Sequence, residues 1–452
     1  MTSKPLLAKP PTPSTREVYI YIQLLGELTS VPAALLRMQT LADGTQLGRF
    51  RYGDRYLERA GAVALDPFQL PLGKTVYEFT ELYGIPGVVR DAGPDTWGRR
   101  VIEHHLERSP ADLQEIDYLL HGPMDGAGNL SFGLTAQPPA PKRSYNRTHQ
   151  LADLIDATQA IDAGEPLTTH LLGALNHLTA GTSLGGARPK ATVEDADVLW
   201  LAKFPGKGDP FNLQRVEFAT LELARRCGLN VAQARLQTVA KQDVLMLQRF
   251  DRQHLELGVK RNAGQGKTQN GHLRFGMASA FTLLGCGDSH LDRSRWSYPL
   301  LADQLRRWSA KPADDKVELF KRMVFNAAIT NNDDHPRNHA LLHRQAGWRL
   351  SPAYDLLPTP LVSQQRRDLA LTVGHYGRTA SLYNLLSQSG QFGLSDDEAR
   401  RQVEATVGVV RQWRTVFAGC GVSEKDMDFI APAMLPECFF YATKETRSDD
   451  FL

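Results

Sequence analysis

Apolar and polar positions fall along the chain in runs the length of single elements. Val18 to Leu25 (VYIYIQLL) is a β-branched and aromatic run and predicts a strand. Arg49 to Leu57 alternates around a Gly-Asp pair, which predicts a hairpin or a pair of strands. Asp91 to Leu106 opens on Gly-Pro-Asp and continues as an amphipathic pattern, so a turn followed by a helix is expected. Helical periodicity also covers Leu151 to Ala163 and the stretch around His170 to Leu178. Val198 to Phe204 reads as a strand. Arg215 to Cys227 carries apolar residues at Val216, Ala219, Leu223 and Cys227, with Gly228 where a C-cap glycine belongs. Val244 to Leu247 is a short apolar strand that leads into Arg249-Phe250-Asp251-Arg252.

The second half is mainly helical. Lys316 to Ile329 is amphipathic, and a hairpin is expected across Ala340 to Leu350. Ser395 to Glu398 is a capping box, opening a long helix with the stripe Val403, Val407, Val410 and Phe417. Gln137 to Arg147 is rich in Pro and Arg and reads as a linker or exposed loop. The first ~130 residues therefore look like a small α+β unit, and a chain of 452 residues has room for two or three domains at about 150 residues each.

Composition narrows the function classes. A net charge of +2 gives no bulk electrostatic case for nucleic-acid binding, so any anion would be small and held locally. Cys227, Cys286, Cys420 and Cys438 are scattered without a CxxC pair, which argues against a zinc site and a disulfide framework. No apolar run reaches the ~18 residues of a membrane span. Met1 to Arg16 lacks an apolar h-region and reads as a disordered lead-in rather than a secretory signal. A cytoplasmic protein with no membrane contact is the expectation.

The strongest chemical signal is Asn331-Asn332-Asp333-Asp334-His335-Pro336-Arg337-Asn338. Asp333 and Asn338 stand at the Asp-to-Asn interval of a kinase catalytic loop. There the Asp accepts the substrate hydroxyl proton and the Asn binds magnesium. Asp334 lacks that interval. A second signal is Asp355, which follows the strand Trp348 to Leu350 and suits a second metal-binding carboxylate. The third is Lys203 in an apolar strand, costly to bury without a partner, for which Glu217 on the next helix is a candidate. The Gly-rich stretch Gly181 to Lys190 could let backbone amides approach an anion, through Gly185 and Gly186.

Each feature has a plainer reading. The polar cluster could be an ordinary loop, Asp355 a turn or N-cap residue, Lys203 a snorkelling edge residue and the glycines a simple turn. His335 and His339 stand at i, i+4 without the rest of a zinc motif. It is their order that favours a nucleotide site: Gly-rich turn, strand Lys, helix Glu, Asp-x4-Asn, then an Asp after a strand.

With these residues in view, the sequence resembles the HipA family of toxin serine/threonine kinases over about residues 17 to 420. The resemblance rests on Ser183-Leu-Gly-Gly-Ala-Arg-Pro-Lys190, Trp200-Leu-Ala-Lys-Phe204, Arg249-Phe-Asp-Arg252, Asn332-Asp-Asp-His-Pro-Arg-Asn338, Leu350-Ser-Pro-Ala-Tyr-Asp355 and, earlier, Pro94-Asp-Thr-Trp-Gly-Arg-Arg100. It implies a two-lobed α+β fold, protein-kinase-like. Residues 17–135 would form a small N-terminal subdomain, 150–255 a region like a kinase N-lobe, and 256–452 a helical C-lobe with the catalytic loop. It also implies ATP and Mg2+ as cofactors. Asp333 would be the catalytic base, Asn338 and Asp355 the magnesium ligands, and Lys203 a contact to ATP phosphates, partnered by Glu217. Gln248 and Phe250 would hold adenine through their backbone, and Ser183 would be a site of autophosphorylation. Gln248 stands where the family usually has Glu, and Gly271 to Arg295 lacks the family's acidic Glu-Asp-Phe stretch.

Family substrates include aminoacyl-tRNA synthetases, and the family's partner is a separate helix-turn-helix antitoxin, so DNA would be met only through that partner. A kinase-like scaffold that binds an antitoxin without turnover is the alternative reading. A kinase acting on a small molecule or lipid is a further one, though no basic amphipathic helix supports a membrane substrate.

Overall fold

Three sheets of three or more strands, a two-stranded ribbon and a helical lobe make up the described residues. The computed structural model describes residues 15–140, 145–165, 168, 186, 188–256, 270–360 and 366–441. The first sheet comprises β1 (Thr15–Gln23), β2 (Ser30–Thr40), β3 (Gln46–Tyr52), β4 (Tyr77–Phe79) and β5 (Leu130–Gly133), in the order β4-β3-β2-β1-β5 with antiparallel pairing. Alternate residues Val18, Ile20 and Ile22 of β1 are buried with Leu36 and Phe50 in one apolar cluster, as strand period two requires.

Two expectations for this region are corrected. Thr15 and Arg16 are not lead-in: they open β1, and Arg16 Nη2 meets Asp117 Oδ1 at 2.7 Å. Arg49 to Leu57 is not a hairpin. β3 ends at Tyr52 and Asp54–Leu57 forms a helical turn. That turn drives the Tyr56 ring into the core, where its hydroxyl donates to the Val63 carbonyl at 2.8 Å.

The second sheet is built from β6 (Asn146–Arg147), β7 (Lys190–Asp195), β8 (Val198–Lys203), β9 (Ala234–Val239) and β10 (Gln242–Gln248), in the order β6-β7-β8-β10-β9. It is packed on both faces. Ala191, Val193, Ala202, Val244 and Met246 join Trp97 and Val101 of helix α1 (Thr96–Leu106) and Leu154 of helix α2 (Leu151–Asp162). The residues between them, Leu201, Leu245 and Leu247, face helix α3 (Leu213–Arg226) and the large core of the second half. A two-stranded ribbon, β11 (Arg252–Glu256) with β12 (Asn270–Arg274), follows. The expected helix around His170 to Leu178 lies outside the described residues.

Helix α4 (Pro312–Ala328) buries Leu319, Phe320, Met323 and Val324 in that core. Pro312 sits in its first turn with Asp314 and Asp315, where a missing N–H costs nothing and acidic groups complement the helix dipole. The third sheet is antiparallel: β13 (Gly276–Ser279), β14 (Ala340–Arg344) and β15 (Gly347–Leu350). The Ser395 capping box is present, but the helix it opens, α5 (Asp396–Val410), is shorter than its stripe predicts. A separate helix, Trp413–Gly419, carries Phe417, and the break lets Trp413, Val416 and Phe417 turn onto the same core as Val403 and Val407. No helix among the described residues is long and apolar enough to cross a membrane.

Candidate active site

The site begins where α4 ends. Thr330 adopts a left-handed φ of 52°, and its hydroxyl donates to the Ala433 carbonyl at 2.6 Å, so the chain leaves the helix at a fixed angle. The loop that follows closes on itself. Asn338 Nδ2 donates to the Asp333 carbonyl at 2.9 Å, after a single 3-10 turn over Pro336–Asn338. The spacing of five residues is the length that lets an amide side chain reach back across this turn.

Of the two adjacent acids, Asp333 and Asp334 have opposite environments. Asp334 points inward: its Oδ2 accepts from the Tyr298 hydroxyl at 2.5 Å and its Oδ1 from the Ala370 N–H at 2.6 Å. Asn326 donates to the same Tyr298 oxygen at 2.9 Å, and Asn331 donates to Asn326 Oδ1 at 3.1 Å. Asp334 thus braces the loop from beneath. Burial pushes its carboxyl up to about 7.

The fold therefore stabilises the neutral form of Asp334. That contribution is complete below the unfolded carboxyl value of about 4 and is lost as pH rises through about 7. Urea unfolding should show stability moving in favour of the Asp334→Asn variant, relative to wild type, between about pH 5 and about pH 8. A pH-independent difference would contradict this assignment.

Asp333 points outward instead, and its carboxylate makes no hydrogen bond to the described residues. It lines a pocket of about 490 Å3 with Gly186, Arg188, Lys190, Lys203, Glu217 and Asp355. Partial burial raises its carboxyl and Asp355 adds repulsion, while His335 and Arg188 pull the other way. A carboxylate made more basic by its surroundings suits proton acceptance.

Lys203 ends β8 and is buried. Its Nζ lies 2.7 Å from Glu217 Oε1 on α3 and 2.7 Å from Asp355 Oδ1 beyond β15. Burial disfavours the ammonium, but Asp355 and Glu217 outweigh it and hold the lysine above its usual range. One lysine serves two acids unequally. Burial also works against the Asp355 carboxylate, yet Lys203 overcomes it and keeps that carboxyl low. Glu217 is pushed up by burial and by Asp355 despite Lys203. Asp355 itself holds a left-handed φ of 58°, a region that Asp, like Asn, tolerates better than most residues. The preceding segment clamps it: Ala353 donates to the Asn230 carbonyl at 2.7 Å and Tyr354 Oη to the Arg337 carbonyl at 2.6 Å.

Asn338 Oδ1 is a buried oxygen with no hydrogen-bond partner among the described residues. It borders a small cavity that shares Asn331 and Asp355 with the main pocket. An unpartnered amide oxygen beside a carboxylate fits a hard divalent cation that keeps several waters and takes its remaining ligands from phosphates. No cluster of three or more His, Cys, Asp or Glu able to hold a metal occurs among the described residues.

The remaining expected positions divide. Gly186 lines the pocket with a φ of 95°, whereas Ser183 and Gly185 lie outside the described residues. Gln248 and Phe250 do not line the pocket. The N–H of Gln248 donates to the Gln233 carbonyl at 2.8 Å and the Phe250 carbonyl accepts from Arg344 at 2.7 Å. The Phe250 N–H has no partner among the described residues, and its ring lies 5.4 Å from that of Tyr354. Backbone capture of a base at this point thus has one open donor, at Phe250.

Sequence reasoning missed Lys190, which lines the pocket, and Asp95 behind it, which forms a fully buried pair with it at 2.7 Å. A second charge in the apolar strand after the Gly-rich stretch was the signal available for Lys190.

A strand lysine paired to a helix glutamate, a loop aspartate facing the same pocket and an aspartate after a strand accompany a kinase-like two-lobed α+β fold. The family model for the HipA-like C-terminal domain matches residues 182–413, and the chain belongs to that family. The structure of HipA from Shewanella oneidensis MR-1, solved as a toxin–antitoxin complex with HipB and operator DNA, shares the fold with a TM-score of 0.63. That likeness covers 92% of this chain and 94% of that one at 16% identity. A Sinorhizobium fredii protein named "Putative kinase Y4mE" is 25% identical over 179 residues, a stretch that spans 38% of this chain and 38% of that relative. The Helicobacter pylori proinflammatory kinase CtkA aligns at a TM-score of 0.39 and 14% identity, over 59% of this chain and 91% of CtkA.

Proposed function

We propose that this protein is an ATP- and magnesium-dependent protein kinase. It transfers the γ-phosphoryl group to a serine or threonine of another protein, as the toxin of a pair completed by a separate helix-turn-helix antitoxin. One observation supports the reading above all others: Lys203, Glu217, Asp355 and Asp333, far apart in sequence, line a single pocket. The likeness to HipA crystallised with HipB and DNA supports an antitoxin partner. A cytoplasmic location and a substrate such as an aminoacyl-tRNA synthetase go with the same reading. In it, residues 150–255 serve as the nucleotide-covering lobe and 256–452 as the catalytic lobe.

The chemistry assigns each group a task. Lys203 leaves Asp355 for the α- and β-phosphates and stays oriented by Glu217. The Phe250 N–H, outside the pocket lining, would serve an adenine that extends beyond it. Asp355 and Asn338 Oδ1 would hold magnesium, which when bound neutralises charge on the phosphates. Asp333 accepts the proton of the acceptor hydroxyl as its oxygen bonds to the γ-phosphorus. The bond from that phosphorus to the β–γ bridging oxygen breaks in line, and ADP departs with the electron pair. Ser183 is the self-modification site in this reading. A phosphate there would add about −1.5 to −2 charge, and in this reading that charge switches the kinase off.

Incubation with labelled ATP and magnesium tests the reading. The protein should incorporate phosphate, and mass spectrometry should find part of it on Ser183. Unlabelled protein that nonetheless binds ATP would refute the kinase reading. Phosphate elsewhere but never on Ser183 would refute self-regulation alone.

A further inference from the structure

Lys190 and Lys203 face each other across the sheet. β7 and β8 pair antiparallel with these two residues directly opposed, so both side chains leave the same face. Like charges in that arrangement destabilise a sheet. Each lysine is offset by an acid from a different element. Lys203 has Glu217 and Asp355, while Lys190 Nζ lies 2.7 Å from Asp95 Oδ2, with both side chains 1% exposed.

Asp95 reaches Lys190 from the N-terminal half of the chain. Its other oxygen accepts the Gly98 N–H at 2.8 Å and caps α1. Two residues on, Trp97 donates through Nε1 to the Lys190 carbonyl at 3.1 Å. The start of one helix therefore grips Lys190 by side chain and by main chain. Lys190 passes this grip onward, since its Nζ donates to the Gly186 carbonyl at 2.9 Å. A Cβ at Gly186 would lie 3.6 Å from Lys190 Nζ and 3.8 Å from Asp355 Oδ2. The Gly186 backbone thus sits between that lysine and the acid assigned to the cation, on the wall of the same pocket.

We propose that Asp95 is a positioning residue for nucleotide binding: through the Lys190 ammonium it fixes the Gly186 carbonyl, and with it the backbone bordering the phosphate site, against Asp355. The inference rests on the reading of this pocket as an MgATP site. It gives the Pro94 to Arg100 stretch a task beyond packing and makes nucleotide affinity depend on how the N-terminal half is seated.

Two variants separate positioning from stability. Asp95→Ser keeps an N-cap oxygen for Gly98, because Ser caps helices about as well as Asp, but takes from the buried Lys190 the carboxylate 2.7 Å away. The double variant Asp95→Ser/Lys190→Met also removes the buried ammonium, which restores stability, yet leaves the Gly186 carbonyl without its Lys190 donor. Calorimetric titration with MgATP should show the dissociation constant raised about ten-fold in both variants. The loss should appear in KM for MgATP rather than in kcat, and thermal stability should drop in the single variant only. Either variant binding MgATP within about two-fold of wild type would overturn the inference. Wild type that fails to bind MgATP would overturn the nucleotide-site reading together with it. Normal wild-type binding with unaffected variants would overturn the role of Asp95 alone.

Discussion

Asp333→Asn lowers kcat for phosphoryl transfer by about 10^2- to 10^4-fold, the usual range for removing a general base, while leaving the MgATP dissociation constant within about three-fold. The asymmetry follows from the two faces of the loop. The Asp333 carboxylate makes no hydrogen bond to the described residues, so an amide in its place strands no donor and leaves the fold alone. The Asn338 amide bonds the Asp333 main-chain carbonyl, not its side chain, so the loop stays closed. What disappears is the proton acceptor. The measurement is single-turnover transfer beside calorimetric nucleotide binding. Transfer at the wild-type rate would remove Asp333 from the mechanism, and a parallel collapse of binding would point to misfolding.

The wild-type rate should also carry a pH signature. Partial burial and the nearby Asp355 carboxylate raise the Asp333 carboxyl. The base is ionised only above that raised value, so transfer falls as pH drops through it.

The second large effect is on stability. Arg249→Met should cost about 3–5 kcal/mol in urea unfolding, the range for breaking a buried ion pair by removing one partner. Arg249 and Arg252 alternate with Asp125 and Asp251 in a closed ring. Arg249 meets Asp125 at 2.8 Å and Asp251 at 2.9 Å, and Arg252 meets the same acids at 2.9 and 2.7 Å. All four side chains are no more than 3% exposed. Met fills the volume of the stem but leaves two buried carboxylates with one guanidinium of the ring. It also removes donors from the Asp125 and Gly126 carbonyls. The ring joins the segment before β5 to the turn between β10 and β11, so its loss should loosen the first sheet from the second. A cost below about 1 kcal/mol, the scale of a surface pair, would mean that water already reaches the ring.

The sequence alone determined the local elements with strong periods: β1, β8, α3, the β14–β15 hairpin and the Ser395 capping box. Their signals are contained within a few residues, in alternation, apolar recurrence or a capping pair. It also determined the order of the chemical residues, since Lys203, Glu217, Asp333, Asn338 and Asp355 belong to short motifs whose spacing is a property of the chain. Where local pattern misled, packing had decided otherwise. Asp54–Leu57 turned helical to bury Tyr56, and the stripe after Ser395 broke at Val410 so that Trp413 and Phe417 could reach the core.

Only the tertiary structure decided which partners those residues meet. Sequence distance says nothing about the 2.7 Å from Lys203 to Asp355, 152 residues away, or from Lys190 to Asp95. The charged residues of Arg249-Phe-Asp-Arg252 read as part of a family signature without a task of their own until Asp125 closed the ring. The physical reason is common to all three. A buried charge must find its counter-charge in space, and it is the packing of sheets and helices that brings the two together.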